Sequence, residues 1–333
     1  MRVCHVRMLC PALGTLLASA CTVAPLTTQA PADEPIAVVA APVAPAAPAA
    51  RREAPARPAR MAVVVSDDVP EYQEIVDEIL RRGAQGVTVH RLAGRIDNAD
   101  RVLEQVGSSR PSGIIAVGLL AATVARRVPD VPMVFCQVYN YQDHDLLSAK
   151  SKGVQLLPPF DLQLQAWRRL GSAQSLRSIG VITGPGQEGL IAEIRQAVAP
   201  TGIGLMVRTV AYDQGTALAF KELAPKIDGL WLLPDNRILS PDVVRKILTY
   251  SAKHSKQLVV FADSLLDMGA LMSVSSVPSD VVDRVFARFA DMDGAGQLRG
   301  PDMLRLTNMR MHVNAEVTKE FGQTVQEHLA HAR

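Results

Sequence analysis

The sequence has few aromatic residues, almost no net charge and few cysteines. Phe, Trp and Tyr make up only 4% of its 333 residues, and 35 Lys plus Arg are nearly balanced by 33 Asp plus Glu. A protein that binds nucleic acid usually carries a basic excess or a basic stripe, so we expect no nucleic-acid partner. A chain of this length buries a sufficient core by itself, so its four cysteines do not indicate a small disulfide-stapled scaffold.

The first twenty residues predict a lipoprotein signal peptide. Arg2 and Arg7 precede a short apolar stretch that ends in small residues before Cys21. That stretch is too short to span a bilayer. Residues 17–21, Leu-Ala-Ser-Ala-Cys, resemble the lipobox of bacterial lipoproteins, which implies that Cys21 becomes the acylated first residue. Cleavage by the ordinary signal peptidase near Ala20 is the alternative.

Residues 21–60 are rich in Ala and Pro and contain no Gly, which predicts an extended tether. At ~3.1 Å per residue it would span about 100 Å and hold a globular part away from a membrane. We therefore expect a periplasmic protein anchored to a membrane through lipid. Thr22 is not the Asp that commonly retains such lipoproteins at the inner membrane, so we favour the outer membrane. Cys136 would be left without a disulfide partner, as a buried apolar residue.

Beyond residue 60, short continuous apolar runs alternate with amphipathic stretches, a pattern typical of parallel strands covered on both faces by helices. It predicts an α/β protein with two Rossmann-like lobes built on parallel sheets. Residues 61–153 form the N-terminal lobe, residues 154–275 the C-terminal lobe, and residues 276–333 a final helix, crossover and tail. The predicted strands are 62–65, 87–90, 113–117, 133–138, 178–182, 205–210, 229–233, 258–261 and 270–277. The predicted helices are 71–82, 98–106, 119–127, 160–170, 188–198, 216–223, 241–254 and 280–289.

Ligands of such sheets bind at the carboxyl ends of the strands, so the loops there are the candidate site. Tyr139 and Tyr141 follow one strand end and could flank a ring, although an ordinary surface role is equally open. The candidate ligand-binding residues are Ser66, Gly118, Tyr139, Tyr141, Thr183, Gln187, Asp235, Asn236 and Asp263.

Residues 227–236, 260–263 and 268–271 resemble, in order and spacing, the ABC-transporter substrate-binding protein family related to tryptophan-type binders. The likeness covers roughly residues 62–322 and is specific over residues 227–271. It implies a periplasmic-binding-protein type I fold, in which two lobes joined by three crossings capture a small solute. It also implies an ABC permease as partner.

The resemblance also implies roles for individual residues. Asp235, Asn236 and Asp263 would follow strands of the second lobe, where an Asp can take a solute ammonium or hydroxyl and an Asn supplies both donor and acceptor. The alternative is that Asp235 bonds its own backbone in the turn Pro234-Asp235-Asn236. Residues 183–186 and 278–282 depart from the family pattern, which disfavours an amino acid bound in the family's manner.

Two further motifs resemble cofactor or metal sites only in part. Residues 184–189 fit the dinucleotide pattern G-x-G-x-x-G, but Pro185 stiffens the turn and an exported protein meets little NAD. Residues 291–302 imitate a calcium loop but carry Ala295 and Arg299 at ligand positions, so a surface turn is favoured. No nucleophile, base and acid are spaced for catalysis. We therefore expect no metal, no cofactor and no enzyme.

These observations predict an exported, lipid-anchored solute-binding protein that captures a small molecule, amino-acid-like or otherwise small and polar, between its lobes for an ABC transporter. The alternative is an accessory envelope lipoprotein with a degenerate solute-binding fold that acts through protein contacts.

Overall fold

The computed structural model describes residues 60–83, 86–170 and 176–320. The predicted signal peptide, Cys21 and all of the predicted tether except its last residue lie outside these residues, so those expectations remain untested. Within the described ranges, none of the helices combines the length and the apolar character required to cross a bilayer.

The first lobe is built on a six-stranded sheet whose strands are all parallel. Its apolar strands alternate with helices that cover both faces, which is why Val63 and Val64 are both buried although they point to opposite sides. The elements in chain order are β1 (Met61–Val65), α1 (Pro70–Arg82), β2 (Val87–Arg91), α2 (Ala99–Ser109), β3 (Gly113–Val117), α3 (Leu119–Ala125), β4 (Met133–Cys136) and β5 (Ser151–Val154).

The second lobe repeats this pattern with a sheet of its own. A core on one face contains Trp167 and Trp231, and a second core on the other face contains Leu230 and Leu258. The elements are α4 (Phe160–Leu170), β6 (Ser178–Thr183), α5 (Glu188–Val198), β7 (Gly204–Thr209), α6 (Asp213–Leu223), β8 (Gly229–Trp231), α7 (Pro241–Lys253), β9 (Gln257–Val260) and β10 (Met272–Ser275).

After β10 the chain returns to the first lobe. Helix α8 (Pro278–Ala290) packs Val281, Val282 and Val285 into the first-lobe core, and β11 (Met303–Leu304) pairs with β5. The chain then crosses again, so that β12 (Arg310–Val313) pairs antiparallel with β10, before α9 (Ala315–Glu320). The strand orders are β11-β5-β4-β3-β1-β2 and β12-β10-β9-β8-β6-β7.

Three stretches therefore join the lobes, after β5, after β10 and after β11. The predicted fold class, two α/β lobes on parallel sheets, is confirmed. The predicted final helix belongs with the first lobe, and the return to the second lobe adds a strand that the apolar pattern did not predict. Each junction is short, so the carboxyl ends of the strands of both sheets face a common cleft.

Candidate functional site

A cavity of about 380 Å³ lies in the cleft between the two lobes. Its size is within the range of pockets that hold small molecules. The first lobe contributes residues of α1, α3 and the loop after β4, and the second lobe contributes the ends of β8, β9, β10 and β12. The lining includes Glu71, Tyr72, Glu74, Gln137, Tyr139, Asn140, Asn236, Phe261, Ser276 and Arg310.

Two of the predicted ligand-binding residues, Tyr139 and Asn236, line this larger cavity. Tyr139 also lines a smaller cavity of about 110 Å³, together with the predicted residues Tyr141 and Gln187. The remaining predicted residues, Ser66, Gly118, Thr183, Asp235 and Asp263, do not line either cavity.

Asp235 is fully buried and bonded within the second lobe. Its carboxylate accepts hydrogen bonds from Nε and Nη2 of Arg237 at 2.8 and 2.6 Å, and from the backbone N–H groups of Gly184 and Arg237. A Cβ on Gly184 would come within 2.5 Å of this carboxylate, so the loop requires glycine there. The Pro234-Asp235-Asn236 turn thus uses Asp235 for its own structure, which is the alternative that the sequence left open.

Ser66 and Gly118 shape the start of α3 rather than the cavity wall. The Ser66 hydroxyl accepts a hydrogen bond from the N–H of Ala121 at 2.8 Å. Gly118 has a φ of +87°, and a Cβ there would lie 2.6 Å from the Ser66 hydroxyl. Only glycine fits this close approach. Thr183 is likewise buried, and its hydroxyl donates to the carbonyl of Gly184.

Asp263 lies outside both cavities in a hydrogen-bonded group. It accepts from the Ser273 hydroxyl and lies 2.8 Å from Nδ1 of His312, with 53% of its side chain exposed. Partial burial alone would raise the pKa of Asp263, but the bonds from Ser273 and His312 outweigh it and lower that pKa. Its carboxylate ties β9 to strand β12, which the sequence pattern did not predict.

Asn140 lines the larger cavity from a strand-end loop, although it was not among the predicted ligand-binding residues. It is 6% exposed, and its side-chain amide has no hydrogen-bond partner among the described residues. The adjacent Tyr139 hydroxyl is also buried and makes no hydrogen bond of normal geometry to a described residue, although the Thr183 hydroxyl lies close enough to oppose the rise of its pKa. Burial raises the pKa of Tyr139, and the nearby Asp235 carboxylate adds to this shift. The Asn140 amide is therefore a hydrogen-bonding group of this wall that is available to a bound solute.

The charges around the larger cavity are mostly paired. Arg310 of β12 lies 2.8 Å from Glu74 of α1, an ion pair that crosses the cleft. Glu71, exposed in the first turn of α1, is the other charged residue of the lining. The lining therefore has one cation, already balanced, and one additional carboxylate.

Further contacts between the lobes lie beside the cavity. The Gln137 amide donates to the Ser276 hydroxyl at 3.0 Å, and Arg237 Nη1 donates to Asp143 of the first lobe at 2.5 Å. Asp235 raises the pKa of the Arg237 guanidinium, so this cross-lobe contact keeps its positive charge. The described part of the chain holds no group of three or more His, Cys, Asp or Glu side chains arranged for a metal ion.

Solved structures with the same architecture were found by comparison. The ABC domain from Streptococcus pneumoniae in complex with L-Trp is 16% identical with a TM-score of 0.57, over 81% of this chain and 96% of that one. The chain has the type I periplasmic-binding-protein fold. A ligand-free, open substrate-binding protein with adhesive properties from Clostridium difficile is 12% identical, with a TM-score of 0.59 over 81% of this chain and 97% of that one.

A conserved domain protein from Vibrio cholerae is 18% identical, with a TM-score of 0.55 over 81% of this chain and 97% of that one. No protein-family model and no curated protein sequence matches this chain. At these identities the structural likeness establishes the fold, and the chemistry of the site has to come from the residues of this chain.

Proposed function

We propose that this chain is an exported, lipid-anchored solute-binding protein that captures a small neutral solute between its lobes for an ABC permease. The observation that carries the proposal is the buried amide of Asn140, which lines a cavity of about 380 Å³ between the lobes and has no hydrogen-bond partner in the described part of the chain. An amide that lines a cavity in this way can exchange hydrogen bonds to water for hydrogen bonds to a solute.

The charges of the lining indicate an uncharged solute. Arg310 is neutralised by Glu74, so a solute carboxylate would have to displace an existing ion pair and would also face Glu71. Asp235 and Asp263, which the resemblance suggested for a solute ammonium, already bond to Arg237 and His312. An amino acid would therefore lack a free partner for its carboxylate.

The apolar side chains of the lining indicate what the non-polar part of the solute is like. Tyr72, Tyr139 and Phe261 line the cavity from three different elements, together with Leu119, Leu157 and several Val and Pro side chains. Such a surface favours a flat or apolar body, while amides and hydroxyls orient its polar edge. We infer a neutral molecule with an apolar body and polar groups that both donate and accept.

Export and anchoring rest on the sequence of residues 1–60. The signal-like residues 1–20, Cys21 and the Ala- and Pro-rich tether support a periplasmic position at a membrane, with the outer membrane favoured. Supply of the solute to an ABC permease is the role that the resemblance implies for a protein of this kind.

The second candidate function is that of an accessory envelope lipoprotein that works through protein contacts. Ion pairs among the described residues that join the lobes, such as Arg237 to Asp143 and Arg310 to Glu74, support it, because they link the lobes without any solute. A protein of this kind would have no need to open.

A thermal-shift screen of the full-length chain separates the two functions. The library contains neutral heterocycles, amides, nucleosides and sugars, with amino acids and carboxylic acids as the charged arm. For a solute-binding protein, at least one neutral compound raises the melting temperature in proportion to RT ln(1 + [L]/Kd). Flat melting curves throughout support the accessory lipoprotein, and stabilisation by carboxylic acids alone contradicts a neutral solute.

A further inference from the structure

The smaller cavity is a separate compartment of the same cleft. It has a volume of about 110 Å³, enough for several water molecules and hence for a group of a few non-hydrogen atoms. Val138, Tyr139, Leu156 and Leu157 line both cavities, so the two compartments are neighbours separated by these side chains. An elongated solute that occupies both compartments has to pass between these four side chains.

Gln187 is the second buried amide of the cleft without a partner. It is 3% exposed, it lines the smaller cavity, and its carboxamide bonds to no residue that the structure describes. It immediately precedes α5, yet its side chain does not cap that helix. An amide in this position can both donate to and accept from a bound group.

The start of α5 supplies further hydrogen-bond donors. The backbone N–H groups of Glu188, Gly189 and Leu190 have no acceptor in the described part of the chain, and Gly189 and Leu190 line the smaller cavity. A Cβ built on Gly189 would meet no atom within 4 Å, so the wall is open at this point. The helix end can donate to a carbonyl oxygen, while the Gln187 oxygen can accept from an N–H.

The charges of this wall disfavour an anion. None of the residues that line the smaller cavity is Lys, Arg or His. The lining already includes one carboxylate, Glu193, which accepts hydrogen bonds from Arg305 at 2.8 Å and from Gln155 at 3.3 Å. A carboxylate in the cavity would face Glu193 and would leave the Gln187 oxygen unpaired, whereas an amide satisfies both.

We propose that the smaller cavity is an amide-binding subsite formed by Gln187 and the start of α5, and that the solute is an elongated neutral molecule whose amide or lactam group occupies it. This inference rests on the proposed capture of a neutral solute in the larger cavity. It specifies one functional group of that solute and places this group in the smaller cavity.

The test is an NMR titration of the full-length chain with acetamide, which fits the smaller cavity, and with sodium acetate as the anionic counterpart. We expect acetamide to shift the amide signals of Gly189 and Leu190 with a millimolar Kd, as suits so small a ligand.

Gln187→Leu should weaken acetamide binding about tenfold, because it removes both hydrogen-bonding atoms. Gly189→Ala adds a methyl group that points into open space and contacts no other residue. This variant should also weaken acetamide binding. Gln105→Leu, on the exposed face of α2, is the matched control and should leave acetamide binding unchanged.

Three outcomes overturn the subsite: no shift at Gly189 and Leu190, equal or tighter binding of acetate, or acetamide binding that Gln187→Leu leaves intact. These results are independent of the thermal-shift screen. A negative titration with a positive screen removes the subsite and keeps solute capture, whereas a positive titration with an empty screen keeps the subsite and contradicts solute capture.

Discussion

Arg237 and Asp143 belong to different lobes, and the Nη1 of Arg237 lies 2.5 Å from the Oδ2 of Asp143. The other edge of the same guanidinium is held by the fully buried Asp235 at 2.6 and 2.8 Å. Because Asp235 fixes Arg237 in the second lobe, the contact with Asp143 links the two lobes directly. The degree of cleft closure therefore depends on this pair.

Removal of the link should shift the protein toward an open form. Asp143→Asn leaves Asp235 and Arg237 intact but weakens the cross-lobe ion pair, whose partners are 21% and 39% exposed. A partly exposed pair is worth about 0.2–1 kcal/mol, so the open population should rise by a few-fold at most. We expect a larger radius of gyration in small-angle scattering of the solute-free variant. Asp145→Asn, which alters the Arg126 pair within the first lobe, is the control and should change nothing. Identical scattering of Asp143→Asn and the unaltered chain would contradict this role.

We expect Asp235 to stabilise the fold rather than to contact the solute. Asp235→Asn leaves the part-buried Arg237 without its main partner, and breaking a buried ion pair costs about 3–5 kcal/mol. We expect the midpoint of urea unfolding to fall accordingly. Asp242→Asn is the control, because its pair with Arg245 lies on the exposed surface of α7. Unchanged stability of Asp235→Asn together with lost solute binding would instead place Asp235 in direct contact with the solute.

We expect replacement of Asn140, unlike replacement of Asp235, to cost no stability. The residue is buried and its amide bonds to no described residue, so Asn140→Leu breaks no side-chain hydrogen bond within the described part of the protein. We expect the solute-free variant to be as stable as the unaltered chain or more stable by about 1 kcal/mol in urea unfolding. Asn98→Leu is the matched comparison, since the Asn98 amide donates to the carbonyl of Leu92 at 2.9 Å and its loss should destabilise the fold. Strong destabilisation by Asn140→Leu would indicate a structural partner for Asn140.

Acid should loosen the third crossing between the lobes. Asp280 is 3% exposed and accepts from the backbone N–H groups of Thr307 and Asn308 at 2.6 and 2.9 Å. Burial alone would raise the pKa of Asp280, but these hydrogen bonds outweigh it and lower that pKa. The carboxylate therefore adds stability above the ordinary Asp pKa of about 3.9, and this stability is lost as the pH falls through the lower folded-state pKa.

Asp280→Asn tests this pH dependence. We expect a loss of about 1–3 kcal/mol in the free energy of unfolding near neutral pH, and a smaller loss as the pH falls below the ordinary Asp pKa of about 3.9 toward the lower folded-state pKa. Urea unfolding at both pH values gives the two differences. Asp283→Asn, on the exposed side of α8 beside Arg82, serves as control. A loss that is the same at both pH values would contradict the proposed titration of Asp280.

Much of the fold was predictable because its strands are buried on both faces. The predicted spans 113–117, 160–170 and 188–198 agree with β3, α4 and α5 residue for residue. Strand β12 was not predicted, since Arg310-Met311-His312-Val313 alternates polar and apolar residues as an antiparallel edge strand does. Strand β11 has only two residues, too few for any periodic signal.

The site was predictable only where it follows strand ends. Tyr139 and Asn236 lie in the cavity wall because they follow β4 and β8. Arg310 and Glu74 meet only because the chain returns to the second lobe after α8, which local sequence does not specify. The engagement of Asp235 by Arg237 could have been suspected from their spacing of two residues. The unpaired state of Asn140 could not, because it depends on what every neighbouring element leaves free.

The most direct test of the account is a calorimetric titration of the full-length chain and of Asn140→Leu with the best neutral compound from the thermal-shift screen. The account predicts that Asn140→Leu, although correctly folded, binds this compound at least about tenfold more weakly, since a polar group of the solute then loses its buried partner. Equal affinity of the two proteins would contradict the central claim that the cleft recognises a neutral solute through its unpaired amides.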